Sequence, residues 1–224
     1  IQGGLLKKEM PLSILVTGLL LLFCMFSIGG GKGVLQIGRL EGLILLLLFA
    51  GFLYMQIRSA LKTRTVRPEE ENIGRKLSPV RSIVYAVLGI AMIIIGGELV
   101  VDSASDIAAA FGMSQTLIGL TIVAVGTSLP ELVTSVVASA KGENDLAMGN
   151  VIGSNIFNIL LIIGASAAIS PMTISRESIY DGAMLLVMSI ILFVLAKKGE
   201  KISRGEAVLL LALYGGYTAY IIMR

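Results

Sequence analysis

Six residues, Gly126-Thr127-Ser128-Leu129-Pro130-Glu131, hold the chain's densest chemistry: two hydroxyls, a proline and a carboxylate set inside an apolar stretch from Gln115 to Ala140. An ionised carboxylate at membrane depth costs roughly 2.5–3.5 kcal/mol on insertion scales, so Glu131 is expected to face a cavity or a cation. Pro130 has no N–H to return to the carbonyl of Gly126, which predicts a kinked helix and a freed, hard oxygen ligand. On a continuous helix Thr127 and Glu131, four apart, share a face, and Ser128 lies on the adjacent one. The next apolar stretch, Gly149 to Asn158, repeats the logic. Ser154 and Asn158 are four apart, and so are Gly149 and Gly153, which leave a flat stripe for close approach of another helix. These small residues are expected to bring Ser154 and Asn158 near Glu131. Such oxygen donors suit Na+ or Ca2+. With no histidine and the single cysteine Cys24, the chain lacks the imidazole and thiolate sets that favour zinc or copper, and an internal disulfide is impossible.

Plainer roles exist for most of these groups. Serine and threonine in membrane helices commonly donate to a carbonyl one turn back. Pro130 alone would be an ordinary kink, and Asn150 and Asn155 read more readily as bridges between helices than as ligands. Glu98, Asp102 and Asp106 align on one helical face, either as a cation-attracting mouth or as the solvated end of a long helix. Lys141 to Asp145 reads as a simple turn.

The elements that must position these groups are membrane helices. Apolar residues make up 55% of the chain, charged residues 15%, and seven apolar runs are long enough to span a bilayer: Pro11–Ile28, Leu40–Arg58, Ser82–Val101, Gln115–Ser139, Leu146–Ala168, Ser178–Ala196 and Arg204–Met223. Their continuity argues against barrel strands, so an all-α integral membrane protein of seven helices is predicted. If the spans alternate sides, fourteen of the eighteen Lys and Arg fall on one side, which predicts a cytoplasmic N-terminus and an outer C-terminus in a plasma or inner membrane. The net charge of +3 follows from this bias, so nucleic acid is not an expected partner.

Residues 59–80 form the one long polar stretch and read as a cytoplasmic linker. Sliding the chain by 165 residues lays Ile37, Arg39 and Glu41 on Ile202, Arg204 and Glu206, and the match continues to Gly51 on Gly216 and Ile57 on Ile222. A weaker echo pairs Ile1 with Ile174 and Leu12 with Leu185. Internal repeats of this kind mark secondary transporters with a site near the bilayer midplane. The expected organisation is the last two helices of a first repeat (1–58), a linker (59–80), and a complete second five-helix repeat with the cation motif (81–224). The first three helices, an N-terminal half-repeat needed for the full site, are expected to be missing.

Gly126 to Ser135 (GTSLPELVTS) together with Gly149 to Asn158 (GNVIGSNIFN) resembles the second alpha-repeat of the calcium/cation antiporter superfamily, specifically sodium/calcium exchangers. The resemblance implies a partial inverted-repeat exchanger fold. It also implies Glu131 as a shared Na+ and Ca2+ ligand beside Thr127, Ser128 and the Ala124 carbonyl, with Ser154 as a Na+ ligand and Asn158 as the central polar residue. Some members, the potassium-dependent exchangers among them, carry Asp at the Asn158 position, and the amide argues against potassium dependence. The activity implied is exchange of Na+ for Ca2+ by alternating access, with the ions as cargo and no prosthetic group. A site with two carboxylates is neutralised by one Ca2+ or by more than one Na+, and antiport follows if only occupied states cross. The fragment alone is expected to exchange negligibly. Rival readings are a proton/Ca2+ antiporter, a non-transporting structural subunit, and an intramembrane enzyme using Ser128, which would lack a histidine base. No enzyme activity is expected.

Overall fold

The computed structural model describes residues 5–26, 35–64, 78–199 and 202–223. Residues 65–77 of the expected linker, and Ile1 of the weaker repeat echo, lie outside the described residues. A π-helical turn, Leu5–Glu9, leads into α1 (Met10–Met25). Strand β1 (Gln36–Ile37) precedes α2 (Arg39–Arg64), and α3 (Pro79–Ala110) follows. Next come α4 (Gln115–Ile118), a π-helical segment Gly119–Val123, α5 (Ala124–Thr127) and α6 (Leu129–Ala140). The remainder is α7 (Asn144–Phe157), a π-helical segment Asn158–Ile163, α8 (Gly164–Ile169), β2 (Met172–Thr173), α9 (Arg176–Gly199) and α10 (Arg204–Met223).

Six of the described helical stretches are long and apolar enough to cross a membrane, and the bent pair Thr121–Thr127 and Leu129–Ala140 makes a seventh if the pair is one span. The protein is an all-α integral membrane protein. Helices overrun the apolar runs where their ends are well capped. α3 starts at Pro79 because the Ser78 hydroxyl accepts from the Arg81 N–H at 3.4 Å and proline suits a first turn. It ends nine residues past Val101, where Gly112 adopts φ 82° and its N–H donates to the Ala109 carbonyl at 2.9 Å. α2 likewise continues past Arg58 to Arg64.

The chain groups into two compact units, one of Ile1–Val66 and Met148–Ala219, the other of Arg67–Ala147 and Tyr220–Arg224. This spatial grouping cuts across the division by repeats. In the first unit α2 crosses α8 with backbones in contact: a Cβ added to Gly42 would lie 2.5 Å from the Ala168 nitrogen and 2.8 Å from the Gly164 oxygen. Leu45, Ile152, Ile156 and Leu160 fill the core around that crossing. The Asn155 amide donates to Ser13 Oγ at 3.0 Å, bridging α7 and α1, while the buried Thr17 hydroxyl donates to the Ser13 carbonyl at 2.9 Å. β1 pairs antiparallel with β2, Gln36 opposite Thr173, and ties two connections together.

In the second unit α3 packs on α5 and α6. Gly126 is required there, because a Cβ would collide with the Val101 Cγ2 methyl. Large apolar side chains elsewhere on α3 are exposed, the surface expected where lipid is the solvent.

Candidate cation site

The broken span is built by its own sequence. α5 stops at Thr127, Ser128 sits between the helices at φ −97° and ψ 2°, and α6 restarts at Leu129 with a 52° change of direction. Pro130 falls in the first turn of α6, where its missing N–H costs nothing. Ser128 N–H donates to the Val125 carbonyl at 3.1 Å, and Leu132 N–H donates to the Ser128 carbonyl at 2.9 Å, so Ser128 serves both helices. The predicted kink is therefore a complete break two residues before the proline.

The break changes how the donors relate. Thr127 is the last residue of α5 and Glu131 the third of α6, so the four-residue spacing no longer places them on one continuous helical face. They stand on opposite sides of the break. The carbonyl end of α5 carries partial negative charge and the amide end of α6 partial positive charge. Partial charges of these signs at broken helices are the kind that suit a cation and a carboxylate respectively. Glu131 is half-buried with Oε2 closed to solvent, whereas Thr127 and Ser128 are exposed. The Thr127 hydroxyl donates to the Ala124 carbonyl at 3.0 Å, linking two of the anticipated donors to each other. Both oxygens keep lone pairs for a cation.

Ser154 is half-buried and donates to the Val151 carbonyl at 3.1 Å, the back-bonding expected of a membrane serine. Asn158 is exposed and opens the π-helical segment directly after α7. Asn155 acts as the predicted bridge, to Ser13. Nothing among the described residues lies within 4 Å of where a Cβ on Gly149 or Gly153 would be. Ser154 and Asn158 belong to the first unit and Ala124, Thr127, Ser128 and Glu131 to the second, so these form two donor groups, each with its own local geometry. Glu98, Asp102 and Asp106 are exposed on α3. Among the described residues no three acidic or thiol groups converge as a metal cluster.

Two features escaped the sequence. π-helical turns flank both motifs: Ala124 N–H reaches back to the Gly119 carbonyl, and the second turn starts at Asn158. Widened turns of this kind concentrate at functional sites and loosen the backbone beside the donors. The other is a cavity of about 350 Å³ in the second unit, lined by Val100, Val101, Ala104, Thr121, Ile122 and Val125, among others. Its one hydroxyl, on Thr121, is spent on the Leu117 carbonyl at 2.6 Å, so the cavity suits hydrocarbon rather than an ion.

An α-helical membrane protein with a carboxylate at a broken span has the build of an ion carrier. A family profile described as sodium/calcium exchanger protein matches residues 81–223. The chain is 37% identical over 220 residues to the putative antiporter CaxA of Alkalimonas amylolytica, across 95% of this chain and 66% of the relative. It is 41% identical over 135 residues to the sodium/calcium exchanger MaX1 of Methanosarcina acetivorans, across 60% of this chain and 39% of the relative. The solved structure of the sodium/calcium exchanger from Methanococcus jannaschii matches with a TM-score of 0.74 at 30% identity, over 98% of this chain and 65% of that one. The chain belongs to the sodium/calcium exchanger family. It spans about two thirds of the length of CaxA and of the M. jannaschii exchanger.

Proposed function

We infer that the chain carries one cation-binding motif of an antiporter that exchanges Na+ for Ca2+ by alternating access. The observation that supports the reading is the break at Ser128, with Ala124 and Thr127, hydrogen-bonded to each other, on the helix before it and Glu131 in the first turn of the helix after it. Oxygen donors with a single carboxylate bind Ca2+ weakly. A second, matching motif, as the internal repeat implies, would add the other carboxylate. Ser154 and Asn158 complete the proposed ligand set, Ser154 for Na+ and Asn158 as a neutral central group that leaves net charge to the two acids. The orientation proposed places the N-terminal, basic-rich end in the cytoplasm.

The test is Ca2+ uptake driven by a Na+ gradient in proteoliposomes of the full-length protein, with Glu131→Gln beside it. Loss of one charged oxygen is expected to weaken Ca2+ binding about tenfold or more and to abolish exchange. Retained exchange in Glu131→Gln would overturn the site. Uptake that ignores Na+ but follows a proton gradient would replace Na+ with H+ as the coupling ion.

A further inference from the structure

We propose that the first unit carries, at the end where α1 begins and α9 finishes, a binding surface for the phosphates of anionic membrane lipids. The proposal does not rest on the cation site. Four membrane spans bring their basic ends to this place. The Leu5–Glu9 turn packs on α9. Leu6 and Ala196 share a buried cluster against which Ile202 packs. Gln56 Nε2 donates to Glu9 Oε1 at 3.2 Å, which fixes the far part of α2 here as well. Ile202 stands two residues before Arg204, so its packing on that cluster brings the start of α10 to the same end.

Lys7, Lys8, Arg58, Lys197, Lys198 and Arg204 are all exposed around this end. Among the described residues, the two carboxylates at this end are already engaged by the protein. Glu9 accepts from Gln56, and Glu206 Oε2 accepts from the Ser203 N–H and hydroxyl at 2.8 and 2.7 Å. Lys197 Nζ lies 5.7 Å from the centre of the Phe193 ring, the posture of a lysine whose stem lies along an apolar helix while its head stays at the surface. All six cations lie at or within a turn of the ends of apolar spans, the level of phospholipid headgroups. Clustered cations at that level recruit anionic lipids. The opposite end of the same unit carries fewer cations among the described residues: Arg39 and Arg176 are exposed there, with the exposed carboxylate of Glu177 beside Arg176. The asymmetry makes the surface local rather than a property of total charge.

The experiment measures lipid retained by the purified chain in mixed micelles of phosphatidylcholine and phosphatidylglycerol, by native mass spectrometry. Wild type is expected to retain phosphatidylglycerol about tenfold over phosphatidylcholine. K7Q/K8Q/K197Q/K198Q should lose that preference, the matching Lys→Arg set should keep it, and R39Q/R176Q should leave it unchanged. Circular dichroism on each variant confirms that helicity is intact, and the Arg set keeps the test decisive if the Gln set unfolds. The proposal is overturned if wild type shows no preference, if R39Q/R176Q removes it as fully as the quadruple variant, or if inorganic phosphate displaces the lipid, which would mark a site for free anion.

Discussion

Two helix starts, Gly38 to Glu41 and Ser203 to Glu206, are matched by the 165-residue offset in the sequence yet have opposite surroundings. At both, the glutamate of the first turn reaches back to the amide before the helix: Glu41 Oε2 accepts from Gly38 N–H at 3.1 Å, and Glu206 Oε2 from Ser203 N–H at 2.8 Å. Ser203 adds the reciprocal half, its hydroxyl accepting from Glu206 N–H at 3.3 Å, which completes a capping box. Gly38 has no side chain to do so. Glu41 is wholly buried, while Glu206 stays partly open to solvent. α2 is buried at Gly42 and Leu45 against α8, and α10 buries no residue at all. The repeated motif thus fixes where a helix begins, and packing decides separately whether that helix belongs to a core.

The most severe way to test that separation is at the backbone crossing. Gly42 aligns with Ala207 in the repeat. Gly42→Leu would drive a side chain into the α8 backbone and should destabilise the protein by about 3 kcal/mol or more. Ala207→Leu, on a helix without buried contacts, should change stability by less than about 0.5 kcal/mol. Thermal or denaturant unfolding in detergent compares the two, and equal effects would mean that α10 is as tightly packed as α2.

That contrast also explains what the sequence could and could not disclose. The membrane spans were readable because apolar length is a property of each segment alone, and a kink near Pro130 was readable because proline has a local consequence, although the helix breaks at Ser128. Asn155 as a bridge and Thr127 and Ser154 as back-bonding residues followed from short-range chemistry too. The π-helical turns at Gly119–Val123 and Asn158–Ile163 were not readable, since accommodating an extra residue in a turn depends on neighbouring helices. Nor was the pairing of Gln36 and Ile37 with Thr173 and Met172, two residues on each side joined across a long separation. Thr127 and Glu131 were expected on one face because the period of a helix was carried through a point where the helix stops.

A milder probe acts on the caps themselves. Glu41→Ala would leave the buried Gly38 N–H without its acceptor, at about 1–3 kcal/mol. Glu206→Ala removes the same bond at a start that water can reach, so the smaller loss is expected there. Hydrogen exchange at the Gly38 and Ser203 amides, alongside unfolding, measures both. If Glu206→Ala were the more damaging, the burial of Glu41 would not be what gives its cap weight.

The smallest expected effect lies where the repeats differ by one oxygen. Phe52 in α2 aligns with Tyr217 in α10. Phe52 packs beside the core of the first unit, whereas the Tyr217 hydroxyl donates to Asp181 Oδ1 at 2.6 Å and so joins α10 to α9. Interhelical hydrogen bonds in membranes average about 0.6 kcal/mol and reach about 1.7. Tyr217→Phe should therefore cost about that much, raising exchange of the α10 amides and leaving α2 unaffected. A Tyr217→Phe protein whose α10 exchanges no faster would show that the helix is held by its apolar surface instead.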